Sequence, residues 1–181
     1  MRPLAEAAAR QVARYTFAMR NDPTRLAQLR RLLILDSSPE RAFDDITRLL
    51  ATAFEVPITI VNLLDADRDW FKACIGLPQT ESPVATSFCE AFFASTDDVI
   101  VAEDTAVDAR FRAHPLVTGA PHIRFYAAAR LVVDGHTLGT LCAYDMAPHT
   151  VSVAQLETLR TLAAAAVDAI RRRPLAAIAA P

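Results

Sequence analysis

The clearest feature of the chain is an apolar run at residues 57–64, in which side chains on both sides of an extended strand are mostly hydrophobic. Such a run predicts a strand that is buried on both faces and therefore central in its sheet. A turn at residues 65–68 and an Asp134-Gly135 turn predict two antiparallel hairpins. The other predicted strands span residues 69–75, 99–102, 123–133 and 138–145.

Helical patterns surround these strands. Residues 3–20 are rich in Ala, Arg and Glu, which favour helix, and Pro23 marks a boundary before the next helix. Ser37-Ser38-Pro39 predicts a helix start with a hydroxyl cap and an early proline. Strands joined by tight turns, between helices at both ends, predict an α+β fold with a central antiparallel sheet and helices on both faces. The remaining helices are predicted at about residues 24–33, 39–54, 87–94 and 152–170.

Length and composition indicate one globular unit. The 181 residues fit a single domain, which we assign to residues 24–173, after an N-terminal helix at 1–23 and before a disordered tail at 174–181. A net charge of −2 gives no electrostatic case for binding nucleic acid or an anionic membrane. Three cysteines without a CxxC pair, and no apolar stretch of signal-peptide or membrane-span type, predict a soluble cytoplasmic protein with reduced thiols.

Short motifs follow one another in a consistent order along the chain. They are Ile34-Leu35-Asp36, Pro39-Glu40, Phe43-Asp44, Val56-Pro57, Asp67-Arg68, Trp70-Phe71-Lys72, Ser87-Phe88-Cys89, Leu116-Val117-Thr118-Gly119, Ile123-Arg124-Phe125-Tyr126, Leu138-Gly139-Thr140-Leu141-Cys142, Asp145 and Pro148. Each fragment is weak alone, but their order and spacing together are specific. They resemble the GAF domain, in the bacterial branch often found ahead of histidine kinases and diguanylate cyclases.

The resemblance implies a GAF-like sheet of five to six antiparallel strands with a small-molecule pocket on one face. It also implies a regulatory role in signal transduction, as in two-component systems, with ligand state relayed through a homodimer of the N- and C-terminal helices. The expected partners are therefore an unidentified small molecule, a second copy of the chain and a signalling output protein in trans. We expect no cofactor, no metal and no enzymatic activity.

The first hairpin supplies two candidate ligand-binding residues. A tight turn at residues 65–68 places Asn62 opposite Phe71, so both side chains share one face of the sheet. Burying an asparagine costs a few kcal/mol unless its amide is hydrogen-bonded. The required partner of Asn62 is either a ligand or another group of the protein.

The second hairpin supplies candidates on both faces. A two-residue turn places Phe125 on the face of Thr140 and Cys142, and places Tyr126 on the opposite face. The alanines and glycine between them leave space for a pocket or for a packed helix. The pattern does not assign the pocket to one face, so all four residues are candidate ligand contacts.

The short helix at residues 87–94 would cover such a pocket. Ser87 offers a hydroxyl, Cys89 offers a thiol, and Phe88 lies between them. Packing is the alternative role for this segment, because a free cysteine behaves as a small buried hydrophobe. In the loop that follows, Asp104 and Phe111 are further candidate contacts, with helix capping as the alternative role of Asp104.

Several other sites are disfavoured by spacing. The acidic residues that begin at Asp65 resemble a calcium loop, but its sixth and twelfth positions are Trp70 and Gly76 instead of Gly and Glu. The histidines lack metal-ligand spacing, and there is no glycine-rich phosphate loop. The motifs of cyclic-nucleotide-binding and bilin-binding GAF domains are incomplete or absent, and Cys89 is followed by Glu90 instead of His.

Two alternative functions remain open beside ligand sensing. Some members of the superfamily reduce free methionine sulfoxide, which needs a thiolate nucleophile with a resolving cysteine close by. The cysteines Cys74, Cys89 and Cys142 do not stand in that subfamily's pattern. The other alternative is a dimerisation scaffold that binds no ligand.

Overall fold

The computed structural model describes the backbone of residues 2–173 and the side chains of residues 11–173. The tail predicted at residues 174–181 lies outside the described residues. Within the described part, the sheet contains six antiparallel strands in the order β3-β2-β1-β6-β5-β4, which confirms the predicted fold class. The strands are β1 Ile58–Leu64, β2 Arg68–Ile75, β3 Glu81–Pro83, β4 Val99–Ala102, β5 Phe125–Val133 and β6 His136–Asp145.

Strand β1 lies near the middle of the sheet, where it pairs with β2 on one side and with β6 on the other. All seven of its residues are buried, as an apolar run without polar alternation predicts. The α-helices are α1 Arg2–Arg20, α2 Pro23–Arg31, α3 Arg41–Phe54, α4 Pro115–Thr118 and α5 Val153–Arg172, and 3₁₀ helices span Val84–Thr86 and Phe88–Ala94.

Two hydrophobic cores lie on opposite faces of the sheet. On the helical face, α3 and α5 pack against side chains such as Val61, Leu63 and Leu141. On the other face, the 3₁₀ helix Phe88–Ala94 and the α4 region pack against Ile60 and Tyr126. We call this second face the cavity face, because it contains the candidate site.

The start of α3 differs from the prediction. The helix begins at Arg41 with Glu40 at the N-cap position, and the hydroxyl of Ser37 donates instead to the carbonyl of Ile34 at 2.6 Å. Ser37 also accepts a hydrogen bond from Lys72, whose buried ammonium lies 2.6 Å from the Glu40 carboxylate. A buried ammonium must be paired, and this nonlocal requirement keeps residues 37–40 outside the helix.

The two hairpins differ in how well their registers follow their turns. In the first, Asn62 pairs with Phe71 and Leu64 with Asp69, as predicted. In the second, Leu131 pairs with Gly139 and Val132 with Thr137, so Leu138 is an extra residue that forms a bulge. The predicted register of this hairpin was therefore wrong by one residue, which turns every side chain beyond the bulge to the opposite face.

Candidate functional site

A cavity of about 120 Å³ lies on the cavity face, between β1, β2 and the loops that cover them. Period-two alternation along β1 directs Ile58, Ile60 and Asn62 to this face, and β2 contributes Asp69 and Phe71. The covering segments and β6 contribute Leu77, Gln79, Ser82, Thr86, Phe88, Leu116, Pro121, Ile123 and Tyr144. Among the described residues, no lysine, arginine or histidine lines this cavity.

Asn62 is the most informative residue of the cavity wall. Its side-chain amide is buried, and its Nδ2 donates to Asp69 Oδ2 at 3.0 Å and to Cys89 Sγ at 3.4 Å. Its Oδ1 has no hydrogen-bond partner among the described residues. Of the two kinds of partner that the sequence left open, a protein group serves the amide nitrogen, whereas the amide oxygen has no partner among the described residues. A buried acceptor in that state costs about 1–3 kcal/mol.

Asp69 connects the cavity wall to the N-terminal helix. Its Oδ2 accepts from Asn62 and from the Ser87 hydroxyl, and its Oδ1 accepts from Arg20 Nη2 at 2.6 Å. Arg20 is the last residue of α1 and is completely buried. The same guanidinium also donates to Glu90 at 2.6 Å and to the carbonyls of Asp65 and Arg68 at 2.7 and 2.8 Å. We call Asn62, Asp69 and Arg20 the relay triad.

One guanidinium and two carboxylates meet in this network. Burial lowers the pKa of Arg20, but the carboxylates of Asp69 and Glu90 outweigh burial and raise that pKa overall. The guanidinium therefore stays charged. Burial raises the pKa of Glu90, and the hydrogen bond from Arg20 opposes that rise. The guanidinium at the C-terminal end of α1 is thus held by two carboxylates that belong to β2 and to the 3₁₀ helix Phe88–Ala94.

Two thiols lie behind the cavity wall. The sulfurs of Cys89 and Cys142 are 3.7 Å apart, and the Thr140 hydroxyl lies 3.1 Å from each of them. Burial raises the pKa of Cys89, but hydrogen bonds from Cys142, Thr140 and Tyr126 outweigh it and lower that pKa overall. Burial raises the pKa of Cys142 well above its usual value. Both cysteines are completely buried.

The structure brings together most of the predicted candidates but gives them different positions. Asn62, Phe71 and Phe88 line the cavity. Phe111 does not line the cavity but packs against Phe88, with ring centroids 5.3 Å apart. A second group lies in the same core or its hydrogen-bond network without lining the cavity: Ser87, Cys89, Tyr126, Thr140 and Cys142.

Two candidates lie elsewhere and are corrected. Phe125 is on the helical face, where it packs against Phe54 with ring centroids 6.3 Å apart, because the bulge at Leu138 reverses the predicted register. Asp104 lies in the loop after β4 and does not line the cavity. Its carboxylate pairs with Arg124 at 2.7 Å and caps the turn through the backbone N–H of Ala106.

Sequence reasoning missed Asp69 and Arg20 as site residues. The register of the first hairpin places Asp69 two residues from Phe71 and therefore on the same face, so its position was available from the pattern. Arg20 had no such indication, because a basic residue at the end of a helix is ordinarily explained by the helix dipole. Its partner Asp69 is 49 residues away in the chain.

Within the described residues, none of the helices combines the length and the hydrophobicity that crossing a bilayer requires.

Comparison with known sequences identifies relatives of this chain. The sequence profile of the GAF domain matches residues 38–170. A cyclic di-GMP phosphodiesterase of Pseudomonas aeruginosa is 35% identical over 156 residues, which are 83% of this chain and 26% of that protein. The chain therefore spans about a quarter of the length of this relative. Since the relative is an enzyme by name, it overturns the expectation that the protein has no enzymatic role.

Solved structures agree with the fold. The GAF domain of an Acinetobacter phosphoenolpyruvate-protein phosphotransferase superposes with a TM-score of 0.61 at 21% identity, covering 82% of this chain and 93% of that one. The free methionine-R-sulfoxide reductase of Neisseria meningitidis superposes with a TM-score of 0.58 at 18% identity, covering 81% and 86%. At these identities the similarity shows the fold alone. Together with the profile match, it establishes that the chain belongs to the GAF domain family and contains a sensory regulatory domain.

Proposed function

We propose that this GAF domain senses a small molecule in the cavity, relays its presence to α1 through the relay triad, and thereby controls hydrolysis of cyclic di-GMP. The observation that carries the proposal is the unbroken chain of buried contacts from Asn62 through Asp69 to Arg20. The similarity to a cyclic di-GMP phosphodiesterase supports the choice of output.

The relay follows from how the carboxylate of Asp69 is shared. One carboxylate oxygen accepts from Asn62 in the cavity wall, and the other accepts from Arg20 at the end of α1. A change in the hydrogen bonding of Asn62 therefore alters the position of the carboxylate that holds Arg20. A ligand shifts such an equilibrium only by the difference between its affinities for the two states. We propose that α1 docks differently in the two states, so that a ligand hydrogen-bonded to Asn62 has a different affinity for each of them.

The exposed face of α1 supports a homodimer as the receiver of this change. Val12, Tyr15 and Met19 are spaced by three and four residues and are 51%, 56% and 43% exposed, although all are hydrophobic. Spaced in this way they form one stripe along the helix, and a contiguous exposed apolar stripe is typical of an interaction surface. We propose that this stripe packs against a second copy of the chain, together with the C-terminal helix.

Amide hydrogen exchange of the full chain tests the relay. The protein is incubated with a low-molecular-weight bacterial metabolite extract, adducts are identified by native mass spectrometry, and exchange is followed in peptides covering residues 11–22. We expect an adduct and altered exchange at the end of α1. Arg20→Lys keeps the charge but loses the guanidinium geometry, so it should bind with a reduced exchange response, whereas the exposed control Arg14→Lys should behave as wild type.

Either of two results would contradict the sensing proposal: no adduct from the extract, or an adduct that leaves α1 unchanged in the wild type. The output is tested separately by measuring cyclic di-GMP in a bacterial host that expresses the chain. The wild type should change the cellular level and Arg20→Lys should change it less. A level equal to that of the empty-vector strain would refute control of cyclic di-GMP.

A further inference from the structure

The size of the cavity limits what it can hold. Pockets for drug-sized ligands and nucleotides occupy roughly 300–1,000 Å³, whereas this one measures about 120 Å³. An apolar protein cavity of about 150 Å³ is known to bind benzene. The volume therefore matches a molecule of about one six-membered ring and is too small for a nucleotide.

The chemistry of the wall limits the charge of the ligand. Its floor and sides are aliphatic or aromatic, with Ile58, Ile60 and Ile123 among the aliphatic members. Both carboxylate oxygens of Asp69 already accept hydrogen bonds, and its charge is matched by Arg20. With no cationic side chain in the wall among the described residues, an anionic ligand would lose its hydration without gaining a counter-charge.

One polar atom of a residue that lines the cavity lacks a hydrogen bond. The Oδ1 of Asn62 is a buried acceptor with no partner among the described residues, although the residue is only 2% exposed and its Nδ2 donates to Asp69 and Cys89. The Asp69 carboxylate determines the orientation of the amide, because it can only accept a hydrogen bond and only Nδ2 can donate one. What is missing at Oδ1 is therefore a hydrogen-bond donor.

We propose that the cavity binds a neutral, largely apolar molecule of about one ring that donates one O–H or N–H hydrogen bond to Asn62 Oδ1, of the phenol type. This inference deepens the proposed sensing function and rests on it. The ligand recovers the cost of the orphaned acceptor and buries its ring against Phe71 and Phe88. Because the ligand hydrogen-bonds the same amide that donates to Asp69, its binding also alters the position of that amide.

Three probes of similar size test the assignment by isothermal titration calorimetry on the full chain. Phenol supplies a ring with one donor, toluene supplies a ring without one, and benzoate supplies a ring with an anionic group. We expect phenol to bind about three- to tenfold more tightly than toluene, the value of one net hydrogen bond, and benzoate to bind more weakly than either.

Variants separate the hydrogen bond from the cavity. Asn62→Leu keeps the approximate side-chain volume and removes the acceptor, so the preference for phenol over toluene should disappear. Asn21→Leu, at the asparagine between α1 and α2 whose amide donates to Phe17, is the matched control and should keep the preference. Ile60→Phe should fill the cavity and weaken both ring probes.

The outcomes distinguish this inference from the sensing function. Tighter binding of benzoate, equal binding of phenol and toluene by the wild type, or no binding of either ring would overturn the ligand class. If the metabolite extract then still gives an adduct with altered exchange in α1, sensing stands with another ligand. If the extract gives neither, the sensing function falls as well.

Discussion

Arg20 offers the sharpest test of the network that joins α1 to the cavity. The guanidinium is completely buried and makes contacts of 2.6–2.8 Å with two carboxylates and two backbone carbonyls. Arg20→Met keeps most of the aliphatic length and removes the charge. The substitution leaves Asp69, which is 3% exposed, without its counter-charge.

Breaking one partner out of a buried ion pair costs about 3–5 kcal/mol, because the remaining charge stays desolvated. We therefore expect Arg20→Met to lower the free energy of unfolding by about that amount, a large part of the roughly 5–15 kcal/mol of a typical domain. The double variant Arg20→Met with Asp69→Asn removes the stranded charge. It should be more stable than Arg20→Met alone, so the two substitutions are not additive.

Urea denaturation followed by far-ultraviolet circular dichroism measures these free energies. Arg48→Met is the matched control, since its ion pair with Asp45 is exposed and should be worth at most about 1 kcal/mol. If Arg20→Met proves too unstable to fold, Arg20→Lys tests the same contacts with the charge retained. A loss in Arg20→Met no larger than that in Arg48→Met would refute the reasoning.

Three further predictions follow from other parts of the structure. Gly139→Ala should cost about 1–3 kcal/mol or more, because an added Cβ would lie 2.2 Å from the carbonyl oxygen of Asn62 on β1. In native protein, Ellman's reagent should modify Cys74 alone, since the other two of the three cysteines are buried. Glu40→Gln should reduce the loss of stability between about pH 5 and pH 3. Burial raises the pKa of Glu40, but Lys72 and Arg173 lower it overall, so its stabilisation is complete above the unfolded value near 4.3 and lost as the pH falls.

Each of these predictions has a control. Gly119→Ala should cost less than Gly139→Ala, because its added Cβ would lie 3.0 Å from the carbonyl of Pro115; equal losses would contradict the close approach of β6 to β1. Cys74→Ser should abolish the native Ellman reaction, and rapid modification that persists would mean that Cys89 or Cys142 is accessible. Chemical denaturation across pH, with the wild type as the control, measures the third effect, and an unchanged profile in Glu40→Gln would contradict the lowered pKa.

The sheet and its central strand were predictable because their causes are local. An apolar run on both sides of a strand requires cover on both faces, and a tight turn determines which residues meet across a hairpin. The position of Asn62 opposite Phe71 followed from that turn and was confirmed. The resemblance to the GAF domain was confirmed as well, because its motifs extend along most of the folded chain.

The relay triad and the start of α3 were not predictable from local pattern. Arg20 and Lys72 are buried charges, and each is tolerated only where distant segments supply partners. A sequence pattern indicates which residues can be charged but not which segments meet around them. The pairing of Arg20 with Asp69 depends on how α1 docks beside the 3₁₀ helix Phe88–Ala94.

By itself, the sequence determined the fold class, the central strand and the register of the first hairpin, since side-chain alternation and turn length specify them within a few neighbouring residues. Only the tertiary structure decided which face of the second hairpin meets the cavity. The bulge at Leu138 places Cys142 and Tyr126 in the core of the cavity face and Phe125 in the core of the helical face. The bulge determines which side chains of the second hairpin enter each of the two cores. The packing of both cores therefore selects it, and the turn between the strands does not encode it.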